Sequence, residues 1–193
     1  VTICPRDMPA ITVEKYVKDI KADFKKIRHY FSDVIGYDDT EYRLQKEAMG
    51  ESGMICCCIL PPGFQIWSVL FNGGLEALSY AYYDFPDLFE ELTEIHDRQT
   101  MQKLEMALDA GVESILTGGS GSITLQSPAL FRELSLPTIK KITKMCRQAG
   151  VICGIHSCGK ERYVVEACAE ETELDYLNPL ERPPMGDCDL AEC

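Results

Sequence analysis

A chain of 193 residues, 46% of them hydrophobic, holds one domain or a little more and has the apolar content for a real core. Its formal net charge of −12 argues against nucleic acid and anionic membranes as partners, because phosphate binding needs clustered lysine and arginine. No apolar run approaches the ~18 residues of a membrane helix, and the start Val1-Thr2-Ile3-Cys4-Pro5 lacks the basic and apolar regions of a signal peptide, so a cytoplasmic protein is expected.

Thr12 reads as the N-cap of a first helix, with Glu14 in its first turn. Val13, Val17, Ile20, Phe24, Ile27 and Phe31 form one apolar stripe that ends near Gly36. The polar segment Asp38 to Glu51 predicts a second, shorter helix. Met54 to Leu60 is an unbroken apolar run, which predicts a strand buried on both faces and core positions for Cys56, Cys57 and Cys58. Pro61-Pro62-Gly63 ends it. Short helical pieces follow around Gln65–Phe71 and Leu75–Tyr83.

A long helix starts near Pro86 and stops at Gly111, with Leu88, Leu92, Ile95, Met101, Leu104 and Leu108 on its buried side. Val112 to Thr117 is the next strand, with the exit loop Gly118-Gly119-Ser120-Gly121-Ser122. That loop could bring backbone close to a substrate, with Ser120 and Ser122 as the side chains that bind it, or be a plain strand-to-helix turn. Ser127-Pro128 caps one helix and Pro137 begins another, with Ile139, Ile142, Cys146 and Ala149 inward. Val151 to Ile155 is a third strand, the pattern from Lys160 to Glu171 a helix, and Asp175 to Pro179 a fourth strand.

This alternation predicts an α/β fold with about four parallel strands and helical crossovers. An eight-stranded barrel needs ~250 residues, so the expectation is a partial (β/α)8 TIM-type barrel. Residues 1–193 form one domain in that reading, with a helical lead-in over 1–53 and βα units over 54–193. Asp187 and Asp189 are expected to cap a further helix, so that Cys193 falls within the fold. Ten cysteines, two of them (Cys146, Cys168) in helix stripes and three consecutive, do not make the framework of a small disulfide-bonded domain and imply free thiols in a reducing compartment. His29 and His96 read as surface or interhelix residues.

The most informative stretch is His156-Ser157-Cys158-Gly159, at the carboxyl end of a strand that feeds a helix. Sites in α/β proteins are built at that end. An imidazole and a thiol two residues apart can meet one cation, and zinc favours this mix of ligands.

Gly111–Gly118 with the exit loop and Ser127-Pro128, the strand with His156-Ser157-Cys158-Gly159, Asp175-Tyr176-Leu177-Asn178-Pro179-Leu180-Glu181, and Pro183-Pro184-Met185-Gly186-Asp187 resemble the uroporphyrinogen decarboxylase family. The resemblance runs from roughly Cys56 to Glu192 and is closest to the branch of corrinoid-dependent zinc methyltransferases. It implies an α/β barrel in which His156 and Cys158 bind zinc together with a cysteine beyond Cys193; Cys188 and Cys193 come too early to match it. A likeness to cobalamin-independent methionine synthases adds Glu181 as a further ligand. Zinc would hold a small thiol that takes a methyl group from a methyl-corrinoid protein. The resemblance also puts the region of Trp67, Tyr80, Tyr82 and Tyr83 at the border of the substrate cavity, with Trp67 as a substrate-binding candidate; core packing is the alternative role for these side chains and the favoured one. Two alternatives stand beside this reading. One is metal-free decarboxylation of uroporphyrinogen, against which the scattered Arg132, Arg147, Arg162 and Arg182 speak. The other is a non-catalytic barrel piece that self-associates through open sheet edges.

Overall fold

The computed structural model describes residues 2–3, 11–189 and 191. Strands β1 (Thr2–Ile3) and β2 (Ile11–Thr12) pair antiparallel ahead of helix α1 (Ile20–Tyr30). The helix therefore opens at Asp19, whose carboxylate accepts the Ala22 N–H at 2.8 Å, and not at Thr12. The cause lies at Val17. Its N–H donates to the Leu70 carbonyl at 2.9 Å and its own carbonyl accepts from Asn72 at 2.7 Å, so its backbone groups are spent on a β-bridge and are lost to a helix. From Ile20 onward the stripe holds, and Ile20, Phe24, Ile27 and Phe31 are buried.

Helix α2 (Thr40–Met49) is polar and buries none of its residues. Beyond strand β3 (Cys56–Cys58) come α3 (Phe64–Trp67), α4 (Gly74–Asp84) and the long α5 (Pro86–Asp109). These helices close around one apolar cluster with Trp67, Phe71, Leu78, Phe89 and Leu92 at its centre. The remaining strands are β4 (Ser114–Gly118), β5 (Ile152–His156) and β6 (Tyr176–Asn178).

Between β4 and β5 the chain makes a single helical run. Helix α6 (Pro128–Leu130) passes through a π-helical turn (Phe131–Ser135) into α7 (Leu136–Ala149). Pro137 was expected to open a separate helix. Having no N–H, it cannot donate to the Glu133 carbonyl, and the Leu136 N–H bonds Phe131 instead, so the ladder widens without breaking. Helix α8 (Arg162–Glu171) links β5 to β6.

The four strands form one open parallel sheet in the order β3-β4-β5-β6, half the strand number of an eight-stranded barrel. Cys57, Ile115, Cys153 and Ile155 share the face that α5, α7 and α8 cover, and Ile115, Cys153 and Ile155 are fully buried there. The opposite face carries Cys56, Cys58, Ile152 and Tyr176, all exposed. The run Met54 to Leu60 is thus covered on one side only, and of its three cysteines just Cys57 packs against the core. On the open face the Tyr176 ring lies across Gly154, where an added Cβ would come within 2.4 Å of three ring carbons. A residue larger than glycine there would displace the tyrosine. No helix among the described residues is long and apolar enough to cross a membrane.

Candidate functional site

The sheet register sets the site. His156 ends β5, and its backbone is aligned with Gly118 at the end of β4 and with Asn178 at the end of β6. Three strand ends therefore deliver the glycine-rich loop, an imidazole and an amide to one place. Gly118 turns the chain out of β4 at φ 79°; a Cβ there would sit 2.7 Å from the His156 carbonyl oxygen. The loop is pinned by the Gly121 N–H on the Cys158 carbonyl at 3.2 Å, and the following turn by the Ser157 N–H on the Asn178 carbonyl at 2.9 Å.

Side-chain contacts then run in a chain. Asn178 Oδ1 is 3.0 Å from His156 Nδ1, and Ser120 Oγ is 3.2 Å from His156 Nε2. An amide oxygen only accepts, so Nδ1 carries the proton, Nε2 presents its lone pair, and the Ser120 hydroxyl donates to it. The ring is partly exposed. The Cys158 thiol is free and half-buried.

The remaining candidates stand apart from this chain of contacts. Glu181 turns its Oε2 to the Gly159 N–H at 2.6 Å. Among the described residues no three His, Cys, Asp or Glu side chains gather as a metal cluster. Ser122 is buried and donates to the Gly119 carbonyl at 2.8 Å, which closes the loop on itself. Trp67 is fully enclosed between α1, α4 and α5, and its indole N–H donates to His96 Nδ1 at 3.1 Å. His96 is thus an interhelix residue, its ring centroid 4.2 Å from that of Phe31 with the planes tilted by 33°, and His29 is on the surface, both within the expectation. Asp187 caps α8 by accepting the Arg162 N–H at 3.0 Å, in place of the further helix expected from it. Asp189 accepts from Ala191 at 3.0 Å; Glu192 and Cys193 lie outside the described residues, as do Val1 and Cys4-Pro5.

Two residues that sequence reading passed over belong to this region. Asn178 belongs to the fourth-strand motif, but nothing in the sequence assigns it a role at the site. Glu161 immediately precedes α8, where an acid is ordinary, yet it is fully buried and neither of its oxygens closes a hydrogen bond. Burial pushes its pKa up to about 7; the nearby Ser157 hydroxyl and Ile123 N–H pull it partly back, and the charges of Asp187 and Glu181 push it further up.

The four arginines weighed above each have a partner. Arg132 pairs with Glu171, Arg147 with Asp175 at 3.2 Å, Arg162 with the Asp187 carbonyl at 3.2 Å and Arg182 with Asp189 at 3.6 Å. Two of the donors that a zinc site requires are present, the Nε2 lone pair and the Cys158 thiol, and they fit the nitrogen and sulfur chemistry of that metal.

No curated protein matches this chain. The family model described as uroporphyrinogen decarboxylase (URO-D) matches residues 13–187, from the segment before α1 through Asp187 and across every strand of the sheet. The chain belongs to the uroporphyrinogen decarboxylase family.

Proposed function

We propose that this member of the family serves zinc-dependent methyl transfer from a methyl-corrinoid protein to a small thiol, in the cytoplasm. The observation that carries the reading is the imidazole held by Asn178 at Nδ1, its Nε2 lone pair met only by the Ser120 hydroxyl, two residues before a free, half-buried thiol at the carboxyl ends of parallel strands. His156 and Cys158 would hold the metal, with the third ligand supplied from outside the described residues. Bound zinc would keep the acceptor thiol deprotonated and nucleophilic at neutral pH. The protein's own part is placement. Asn178 orients the ring, the backbone bond between Gly121 and Cys158 holds the loop against the thiol's strand end, and Ser120 offers a hydroxyl at the mouth of the site.

Decarboxylation of a porphyrinogen, a polycarboxylate, is favoured less. It calls for cationic side chains free to meet carboxylates at the strand ends, and each of the four arginines just described already has a carboxylate or carbonyl partner.

The test is the metal content of the purified chain beside its Cys158→Ser variant, by elemental analysis. About one zinc per chain, lost in the variant, is the expected result. Full zinc in the variant would remove Cys158 from the ligand set, and decarboxylation of uroporphyrinogen by the protein would replace methyl transfer altogether.

Self-association is a separate proposal that the sheet edges support. Strands β3 and β6 are sheet edges, and exposed parallel edges pair with other chains. Sedimentation of the chain should show a species larger than the monomer that grows with concentration. A monomer throughout would exclude this part.

A further inference from the structure

The contacts of His156 carry more than its placement. A neutral imidazole has two tautomers, and only one of its nitrogens can bind a metal in each. Which one is decided by the hydrogen bond made at the other nitrogen. Here Asn178 Oδ1 lies 3.0 Å from Nδ1 and Ser120 Oγ lies 3.2 Å from Nε2. The first partner is an acceptor only; the second can donate or accept. The pair is self-consistent in one arrangement: Nδ1–H donates to Asn178, and the Ser120 hydroxyl donates to Nε2.

The scaffold makes this arrangement inherent to the sheet. Asn178 and His156 are register partners on adjacent parallel strands and point to the same face. Their backbones are tied again one residue on, where the Ser157 N–H meets the Asn178 carbonyl at 2.9 Å. Ser120 comes from the third strand end, on a loop held to Cys158 by the Gly121 N–H.

We infer that Asn178 is a positioning residue that holds His156 as the Nδ1–H tautomer, and that Ser120 is a placeholder on Nε2, the atom that donates to the metal. The inference rests on the zinc reading for its second half only. The tautomer is a property of the metal-free chain. Partners that orient a ligating imidazole raise metal affinity, and losing one costs about 10- to 100-fold. A placeholder works the other way, because its hydrogen bond must break before the metal binds.

The experiment uses the full chain with three variants, Asn178→Leu, Asn178→Asp and Ser120→Ala. Asn178 is exposed at the end of an edge strand, so its replacement leaves the core intact. Long-range nitrogen–proton correlation spectra of the metal-free protein report the tautomer of His156 directly. The Nδ1–H form is expected in the parent and in Asn178→Asp, which keeps an acceptor, and a mixture of both forms in Asn178→Leu. An Nε2–H ring in the parent, or a spectrum unchanged in Asn178→Leu, would overturn the assignment of Asn178. Affinity for zinc alone is then measured by competition with a chromophoric chelator. Asn178→Leu should weaken it about 10- to 100-fold, Asn178→Asp should restore it, and Ser120→Ala should hold or strengthen it. Weaker binding in Ser120→Ala would make Ser120 a supporting group and end its role as placeholder. A chain that keeps the Nδ1–H tautomer yet binds no zinc would defeat the metal reading and leave the positioning role of Asn178 standing.

Discussion

Trp67→Ala should cost this chain about 3–5 kcal/mol for the lost side chain and its cavity, with a further ~1–3 kcal/mol for the acceptor left unpaired on His96. Trp67 is fully buried at the centre of the helical cluster, against Phe64 and Phe89, and its N–H is used by His96. Set against a typical total stability of ~5–15 kcal/mol, that loss brings the chain close to unfolding. The more telling variant is Trp67→Phe. It keeps most of the apolar volume and removes the N–H, so about 1–3 kcal/mol should be lost in urea denaturation followed by circular dichroism. A side chain lining a substrate cavity would instead leave stability nearly unchanged and alter binding. Equal stability of Trp67→Phe and the parent would therefore count against the core role.

The second large effect is on the pH dependence of stability, where two buried groups work in opposite directions. Burial pushes Glu161 up to about 7 from 4.5, so the folded chain holds its proton more tightly than the unfolded one. Stability is then full below the unfolded value and falls as pH rises from about 4.5 to 7, by about 3 kcal/mol at ~1.4 kcal/mol per unit. His96 goes the other way. Desolvation, assisted by the charge of Lys103, lowers it to about 3 from 6.5. Its contribution is full above 6.5 and is lost as pH falls towards 3, by about 5 kcal/mol. Between about 4.5 and 6.5 the two slopes oppose and cancel, so the parent curve is flat there and falls on either side.

Single replacements separate the two limbs. Glu161→Gln should flatten the side that falls with rising pH. His96→Gln keeps an acceptor for the Trp67 N–H and should flatten the side that falls in acid. Denaturant midpoints measured across this range for the parent and both variants decide the matter. A falling limb that survives in Glu161→Gln would mean that another group carries it.

These effects also show where local sequence signals end. Periodicity was enough for α5, where Leu92, Ile95 and Leu104 recur on one side and are buried, and for β5 and its neighbours, whose apolar runs and glycine stops are local. Thr12 and Val13 offered an equally good local helix start, but Val17 makes its backbone hydrogen bonds with a segment more than fifty residues away. Local pattern has no access to such a partner. The run through Cys56, Cys57 and Cys58 looked uniformly buried because residue type alone does not say which face the helices cover. Nothing local marks Glu161 for burial, because an acid at the start of a helix is ordinary.

What the sequence by itself determined is the α/β order, the strand-end position of His156 and Cys158, and membership of the uroporphyrinogen decarboxylase family. Those follow from spacing along the chain. Tertiary structure alone decided that Asn178 and Ser120 flank the His156 ring, that Glu181 serves the Gly159 N–H, that Trp67 packs in the helical cluster, that Ser122 closes its own loop, and that Glu161 is buried without a hydrogen-bond partner. The reason is the same throughout. A hydrogen bond or a desolvated charge depends on groups brought together by strand register and helix packing, from positions 22 to 36 residues apart in the case of the His156, Asn178 and Ser120 contacts.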